Sequence, residues 1–456
     1  MNIPIVVVCY NNYRYVENTL KQIASINKAY YANIIILNNA STCADTIAYL
    51  ERVSDGSDEG GSSVSSVSNV SSVSVIHNIG NLGPWITHLN NRHIYDILPD
   101  KYIITDPDLK LNENIPCNFI EILATLSDKY KTSKIGFALD LSDHEKFYTT
   151  KDYFANQTIC EWESQFWKKR ISNADDDSSG GYELYDADID TTFCLMNKTN
   201  IMRGYDNKIR VAGDFTAKHI PWYIENEVYN LYDNYMLNTN TTHISTISRI
   251  VKSYIEENYL RTYKNDESFF VEKKSNNPFW KDIYGDWKKE MFEVFDKYLS
   301  KDKVFIDIGT WITPTAMYGS RKSKHIYAFA MDAQIAELAT KDMNANCAKN
   351  YTISVFHHSD SILKIKDIMN AANAANATDG SDISLINVDI GGEEENRLDE
   401  LYDIHVQYGI PLYITFYYTS WKDKNLDRFS YLTADNKNII ATATTTVVLF
   451  VPKPTR

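Results

Sequence analysis

Closely spaced cysteines, long apolar runs and an excess of positive charge are all missing from this chain. Each absence removes a class of protein. The six cysteines (Cys9, Cys43, Cys117, Cys160, Cys194 and Cys347) are scattered, without the short spacings of a zinc knuckle. They read as small buried hydrophobes of a protein that works in a reducing compartment. The chain opens Met1-Asn2-Ile3-Pro4, with no basic region, and the apolar run Ile5–Val8 is too short for a signal peptide or a membrane span. A cytoplasmic protein with no integral membrane segment is therefore expected (in the host cytoplasm if the chain is viral). The formal net charge is -14, a surface that repels phosphates and anionic lipid, so nucleic acid is not an expected partner.

What is present is a soluble α/β pattern. The chain has 456 residues, 44% of them hydrophobic and 23% charged, which points to two domains. The β-branched run Ile3–Val8 ends at Cys9-Tyr10-Asn11-Asn12. A helical stretch from about Tyr15 to Ile26 follows, and then Ile34–Leu37 ends at Asn38-Asn39-Ala40-Ser41-Thr42. Strand, helix and strand, with polar residues past each strand, predict a parallel sheet with its ligands at the carboxyl edge. Residues 54–74 are rich in Ser, Gly and Val and are expected to form a flexible insertion. A helical linker is expected over 244–279. A second α/β domain over 280–456 opens with aromatics at helical spacing and the strand Val304-Phe305-Ile306.

Asp106-Pro107-Asp108, past the apolar run Lys101–Thr105, is the most informative motif of the first domain. Paired carboxylates at a sheet's ligand edge suit Mn²⁺ or Mg²⁺, which would neutralise the diphosphate leaving group of a nucleotide-sugar. With Tyr10-Asn11, Asn39 and Asn81-Leu82-Gly83 in order before it, residues 1 to about 240 of an expected domain 1–243 resemble the GT-A glycosyltransferases, especially family-2-like members. The relevant subgroup makes surface glycans in bacteria and large DNA viruses. The resemblance implies that Tyr10, Asn11, Asn39, Asn81, Gly83 and Asp106 bind the nucleotide-sugar, and that Asp106, Asp108 and His219 hold the metal. It further implies Asp190 as catalytic base and Trp222 as a platform for the acceptor glycan. Asp190 as a helix cap, His219 as a structural histidine and Trp222 as core remain open. The family usually carries Asp where this chain has Asn39.

Residues 280–456 resemble class I, S-adenosylmethionine-dependent methyltransferases of the FkbM type. The matching segments are Phe305-Ile306-Asp307-Ile308-Gly309, Tyr327-Ala328-Phe329 and Leu385–Glu393. Thr313 stands where the family's cofactor turn has a second glycine, Trp311 lies inside that turn, and Ala330 replaces the ribose-binding acid, with Asp332 two residues on. The expected fold class is thus a GT-A domain joined to a class I methyltransferase-like Rossmann domain. The second domain is expected to be inactive, without S-adenosylmethionine, serving acceptor recruitment or a homodimer contact. The expected activity is metal-dependent glycosyl transfer from a nucleoside-diphosphate donor, a UDP-sugar by preference, to a glycan acceptor. Two rivals stand beside it, a bifunctional glycosyltransferase and sugar O-methyltransferase, and a non-catalytic glycan-binding scaffold. A sugar nucleotidyltransferase is the weakest option, for its Gly-rich N-terminal phosphate turn is missing.

Overall fold

The computed structural model describes residues 3–55, 73–151, 153–172, 181–239, 246–273, 278–347, 349–355, 382–391, 394–416, 439–441 and 446–450. Most of the expected insertion, the Ala/Asn-rich stretch at 371–379, and Gly392 and Glu393 of the second resemblance lie outside these residues. The chain divides into two compact units. One comprises Met1–Tyr229 with Asn234–Tyr254, and the other Asn230–Asp233 with Ile255–Arg456.

The first unit is built on strands β1 (Ile5–Cys9), β2 (Ile34–Asn38), β3 (Ser74–His77), β4 (Lys101–Thr105), β5 (Leu109–Leu111), β6 (Lys134–Leu139), β7 (Arg170–Ser172), β8 (Leu184–Asp186), β9 (Cys194–Asn197) and β10 (Lys208–His219). Their order is β3-β2-β1-β4-β9-β6-β10-β8-β7, with β5 on β10. The first four strands run parallel, and β9 is reversed between β4 and β6. All five residues of β1 are buried, which is why it reads as an unbroken apolar run rather than an alternating one. The helix Tyr13–Ile26 buries Val16, Leu20 and Ile23 along one face and leaves its polar face in water. At the carboxyl end of the sheet, β5 pairs with the end of β10, placing Leu109 opposite His219.

The second unit opens with a hairpin of β11 (Tyr259–Lys264) and β12 (Glu267–Glu272). The segment expected as a helical linker is therefore helix only over Thr246–Asn258. Arg261 and Tyr263 face outward while Thr262 and Lys264 are buried, a strand alternation that the polar composition hid. The main sheet comprises β13 (Val304–Thr310), β14 (His325–Ala330), β15 (Tyr351–Val355), β16 (Ile383–Val388), β17 (Leu412–Phe416), β18 (Ile439–Ala441) and β19 (Thr446–Phe450). Its order is β15-β14-β13-β16-β17-β19-β18, parallel through β17, with β19 antiparallel to both neighbours. The expected α/β class holds in both units. In the second it is a methyltransferase-like Rossmann sheet, whose reversed β19 sits between β17 and β18.

Candidate functional site

Each sheet gathers its chemistry at its carboxyl edge. In the first unit Asp106 follows β4, and its N–H donates to the Thr191 carbonyl at 2.9 Å. The Thr191 hydroxyl donates to the Asp106 carboxylate. Burial, reinforced by the charge of Asp108, holds the Asp106 carboxyl well above the usual carboxylate range. Asp108 accepts the Ile220 N–H on its backbone carbonyl at 2.9 Å, and its carboxylate lies 3.6 Å from His219 Nε2. Asp108 Oδ1 and His219 Nδ1 are buried without a hydrogen-bond partner, a costly state that a ligand would relieve. The exposed Asp190 accepts a hydrogen bond from Trp85 Nε1 at 2.8 Å. The fold therefore brings Asp106, Asp108, Asp190 and His219 to one edge of the sheet.

The other expected ligand contacts are already engaged by the protein. Asn11 has a left-handed backbone (φ 56°), and its side-chain oxygen accepts the Thr42 and Cys43 N–H groups at 2.7 and 2.8 Å. This ties the turn after β1 to the turn after β2, with Tyr10 half-buried beside it. Asn39 is 2% exposed. Its amide donates to the Gly83 carbonyl at 2.8 Å, and its oxygen accepts from Asn78 at 2.8 Å and from the Leu82 N–H at 3.2 Å. Asn78 also donates to Asn91 and lies 2.9 Å from His93 Nε2. Asn81 accepts the Gly83 N–H at 3.0 Å, and Gly83 takes the positive φ of 79° that the turn requires. Together these residues set the course of the segment that carries Trp85. Trp222 is 2% exposed, with His219 at 4.9 Å and Phe147 at 5.5 Å between ring centroids, so its faces are spent on packing. Trp85, Thr191, Asn78, Asn91 and His93 escaped the sequence reading. Only the position of Trp85, two residues past Gly83, offered a signal.

In the second unit Gly309, the last residue but one of β13, has φ 89°, and a Cβ there would lie 1.9 Å from the Asp389 carbonyl. Only glycine allows this close approach of the turn to the end of β16. Asp307 is buried, accepting from Thr310 at 2.5 Å, Thr315 at 2.7 Å and Asn387 at 2.7 Å, and so acts as a structural staple. Thr313 adopts the left-handed conformation itself (φ 65°) and is fully buried, its hydroxyl 3.2 Å from the Asp342 carboxylate. Trp311 is 48% exposed and packs against Phe279 at 5.3 Å. Ala330 closes β14. The exposed Asp332 caps the following helix with one oxygen, accepting the Ile335 N–H at 2.8 Å.

No family model and no curated protein matches this chain in sequence. Solved structures do match, each over about a third of the chain. An rRNA methylase from Streptococcus thermophilus matches at 12% identity and TM-score 0.27, over 36% of this chain and 95% of its own. An RNA methyltransferase from Salinibacter ruber, in complex with S-adenosyl-L-homocysteine, matches at 11% and 0.24, over 37% and 90%. TrmK of M. capricolum, also with S-adenosyl-homocysteine, matches at 15% and 0.27, over 36% and 68%.

Three expectations are corrected. The expectation against methyl transfer and S-adenosylmethionine is withdrawn; the three matched structures, two with the cofactor product bound, are methyltransferases. In the turn, Thr313 takes a left-handed backbone, and Trp311 is half-exposed against Phe279. A metal-dependent glycosyltransferase is withdrawn as the description of the whole enzyme; none of these three matched structures is a glycosyltransferase. Mn²⁺ or Mg²⁺ falls with it. Among the described residues no group of three or more His, Cys, Asp or Glu could hold a metal ion. The Asp106 carboxylate is buried on Thr191, Asp190 is taken by Trp85, and His219 lies against Asp108 and Trp222. The described residues include no helix long and apolar enough to cross a membrane.

Proposed function

We propose that the chain is bifunctional, an S-adenosylmethionine-dependent sugar O-methyltransferase in its second unit and a nucleotide-sugar-binding glycosyltransferase in its first. The observation that carries the reading is the turn after β13. Gly309 is pressed against the end of β16, Thr313 is held in a glycine-like conformation, and Asp332 stands just past β14. Such a turn lets a backbone approach a nucleoside-bearing cofactor at the sheet's carboxyl edge. Asp332 keeps a second carboxylate oxygen beyond its cap bond, two residues from the place where the ribose is usually held. Bound there, S-adenosylmethionine supplies an electrophilic methyl group; the chain's own part is to hold the ribose and exclude water. The glycosyl-transfer half is supported by Asp106, Asp108, Asp190 and His219 at the edge of the first sheet. The orphaned Asp108 Oδ1 and His219 Nδ1 call for a polar ligand there.

Calorimetric titration of the full chain with S-adenosylhomocysteine tests the first half. Micromolar binding is expected, weakened about tenfold or more by Asp332→Ala, since a hydrogen bond to a charged group is worth about 1.5–3 kcal/mol. Absence of binding at millimolar cofactor product would overturn the methyltransferase assignment. Transfer of radiolabelled sugar from UDP-sugars to oligosaccharide acceptors tests the second half separately.

A further inference from the structure

We propose that Trp311, Lys288 and Asp389 form a binding subsite for a sugar ring at the carboxyl edge of the second sheet. The proposal deepens the methyl-transfer reading by placing the acceptor. It starts from a segment with two local irregularities. Phe279–Ile283 is a π-helical turn, and a few residues later Lys288 takes a left-handed backbone at φ 44°. A non-glycine residue is strained there, and both features are common where a chain presents side chains for function.

The strained segment is held firmly. Lys264 is buried beneath it and donates to the carbonyls of Tyr284 and Gly285, each at 3.2 Å, and to that of Trp287. A buried ammonium bound to backbone carbonyls fixes the turn more than it adds net stability. The turn delivers Lys288 Nζ to Asp389 Oδ2 at 2.6 Å, the first residue past β16. It also sets Trp287 5.3 Å from Phe279, which in turn lies 5.3 Å from Trp311, the first residue past β13. Because Gly309 abuts the Asp389 carbonyl, the contacts close a ring through Trp311, Phe279, Trp287, Lys288, Asp389 and Gly309.

This ring has an open side. Lys288 and Asp389 side chains keep 19% and 17% of their surface in solvent, and Trp311 keeps 48%. Trp311 thus offers a half-exposed indole two residues along the chain from Gly309, whose backbone abuts the Asp389 carbonyl. The combination suits a pyranose: the flat C–H face lies on the indole, while an adjacent pair of hydroxyls donates to Asp389 and accepts from Lys288. A phosphorylated or nucleobase ligand fits less well, because Asp389 repels the one and offers no bidentate edge with Lys288 to the other.

Saturation-transfer NMR on the full chain, with methyl glycopyranosides of glucose, galactose, mannose and rhamnose as probes, tests the subsite. At least one glycoside is expected to bind. Its affinity should fall about tenfold in Trp311→Ala, equivalent to about 1.4 kcal/mol, and comparably in Lys288→Met. S-Adenosylhomocysteine titrations run in parallel should be changed less than threefold by Lys288→Met, which lies outside the turn after β13. Glycoside binding that survives both substitutions, or no glycoside binding by the parent protein, overturns the subsite. Glycoside binding lost in both variants while the parent takes no S-adenosylhomocysteine would uphold the subsite and sink the methyl-transfer reading. Melting temperatures of the variants separate lost binding from lost fold; should Trp311→Ala not fold, Trp311→Gln serves in its place.

Discussion

Asn39 shows how a single amide can depart from a family pattern for a reason visible only in three dimensions. Where the resembled glycosyltransferases carry a carboxylate, this chain needs a donor, because the Asn39 amide donates to the Gly83 carbonyl at 2.8 Å. Asn39→Asp would set a carboxylate oxygen against that carbonyl in a buried place. We expect a loss of about 2 kcal/mol or more, read as a lower urea midpoint at neutral pH and partly recovered in acid as the new carboxyl protonates. Equal midpoints for both proteins at neutral pH would show that Asn39 does not hold the segment. Asp342 carries a second prediction. Burial pushes its carboxyl from 3.8 up to about 7, opposed by the Thr313 hydroxyl and reinforced by the charge of Glu272. Unfolded, the group ionises near 3.8; folded, it keeps its proton to about 7. Between those values the folded state binds the extra proton, so this group's contribution to stability falls as pH rises, by at most about 1.4 kcal/mol per pH unit. Asp342→Asn keeps the shape and removes the titration. The melting temperature of the variant should therefore drop less than the parent's between about pH 4.5 and pH 7.5, and equal drops would refute the assignment.

Among the elements, the strands were the most legible in the sequence. Ile5–Cys9, Ile34–Asn38, Lys101–Thr105, Val304–Thr310 and Ile383–Val388 fall where unbroken apolar runs put them, since parallel strands buried on both faces have no polar face to alternate with. The hairpin Tyr259–Glu272 was missed because its charged residues alternate with buried ones only after the register of the pair is known. At the site, Asp106 and Asp108 were foreseeable as polar residues past an apolar strand, whereas Asp190 and His219 came only from the resemblance to the glycosyltransferases. The roles of Asn39 and Asn11 were not foreseeable, because a side chain's partners across 31 to 44 residues leave no local pattern. The same limit hid Lys288, whose importance comes from Asp389, 101 residues away. The contact between the turn after β13 and the end of β16 gives an element-scale prediction. Gly309→Ala would place a methyl 1.9 Å from the Asp389 carbonyl, at a φ of 89° that alanine resists, so backbone must move. A loss above about 3 kcal/mol is expected, together with loss of S-adenosylhomocysteine binding. A folded variant with parental stability would mean that the close approach is not required.

At the scale of the whole chain, the division into units does not follow the sequence in one cut. Asn230–Asp233 belongs with the second unit, and the chain then returns to the first for Asn234–Tyr254. The boundary expected from composition, at residue 243, therefore falls inside the first unit and would remove from it Thr246–Tyr254, the larger part of the helix Thr246–Asn258. That helix is not a spacer. Ile250 and Val251 on it are fully buried, Tyr254 packs against Tyr148 with ring centroids 5.0 Å apart, and Ser248 donates to Asn238 at 2.8 Å. Burying two β-branched side chains and a tyrosine contributes on the order of 5 kcal/mol before entropy is counted, a large share of a domain's net stability. A fragment spanning 1–254 should accordingly unfold cooperatively, whereas one spanning 1–243 should melt at least several degrees lower or aggregate, since it exposes the surface that the helix covered. The comparison needs no activity: thermal melts and urea titrations of the two fragments suffice. Coincident midpoints would show that the helix contributes nothing to the first unit and would return the boundary to residue 243.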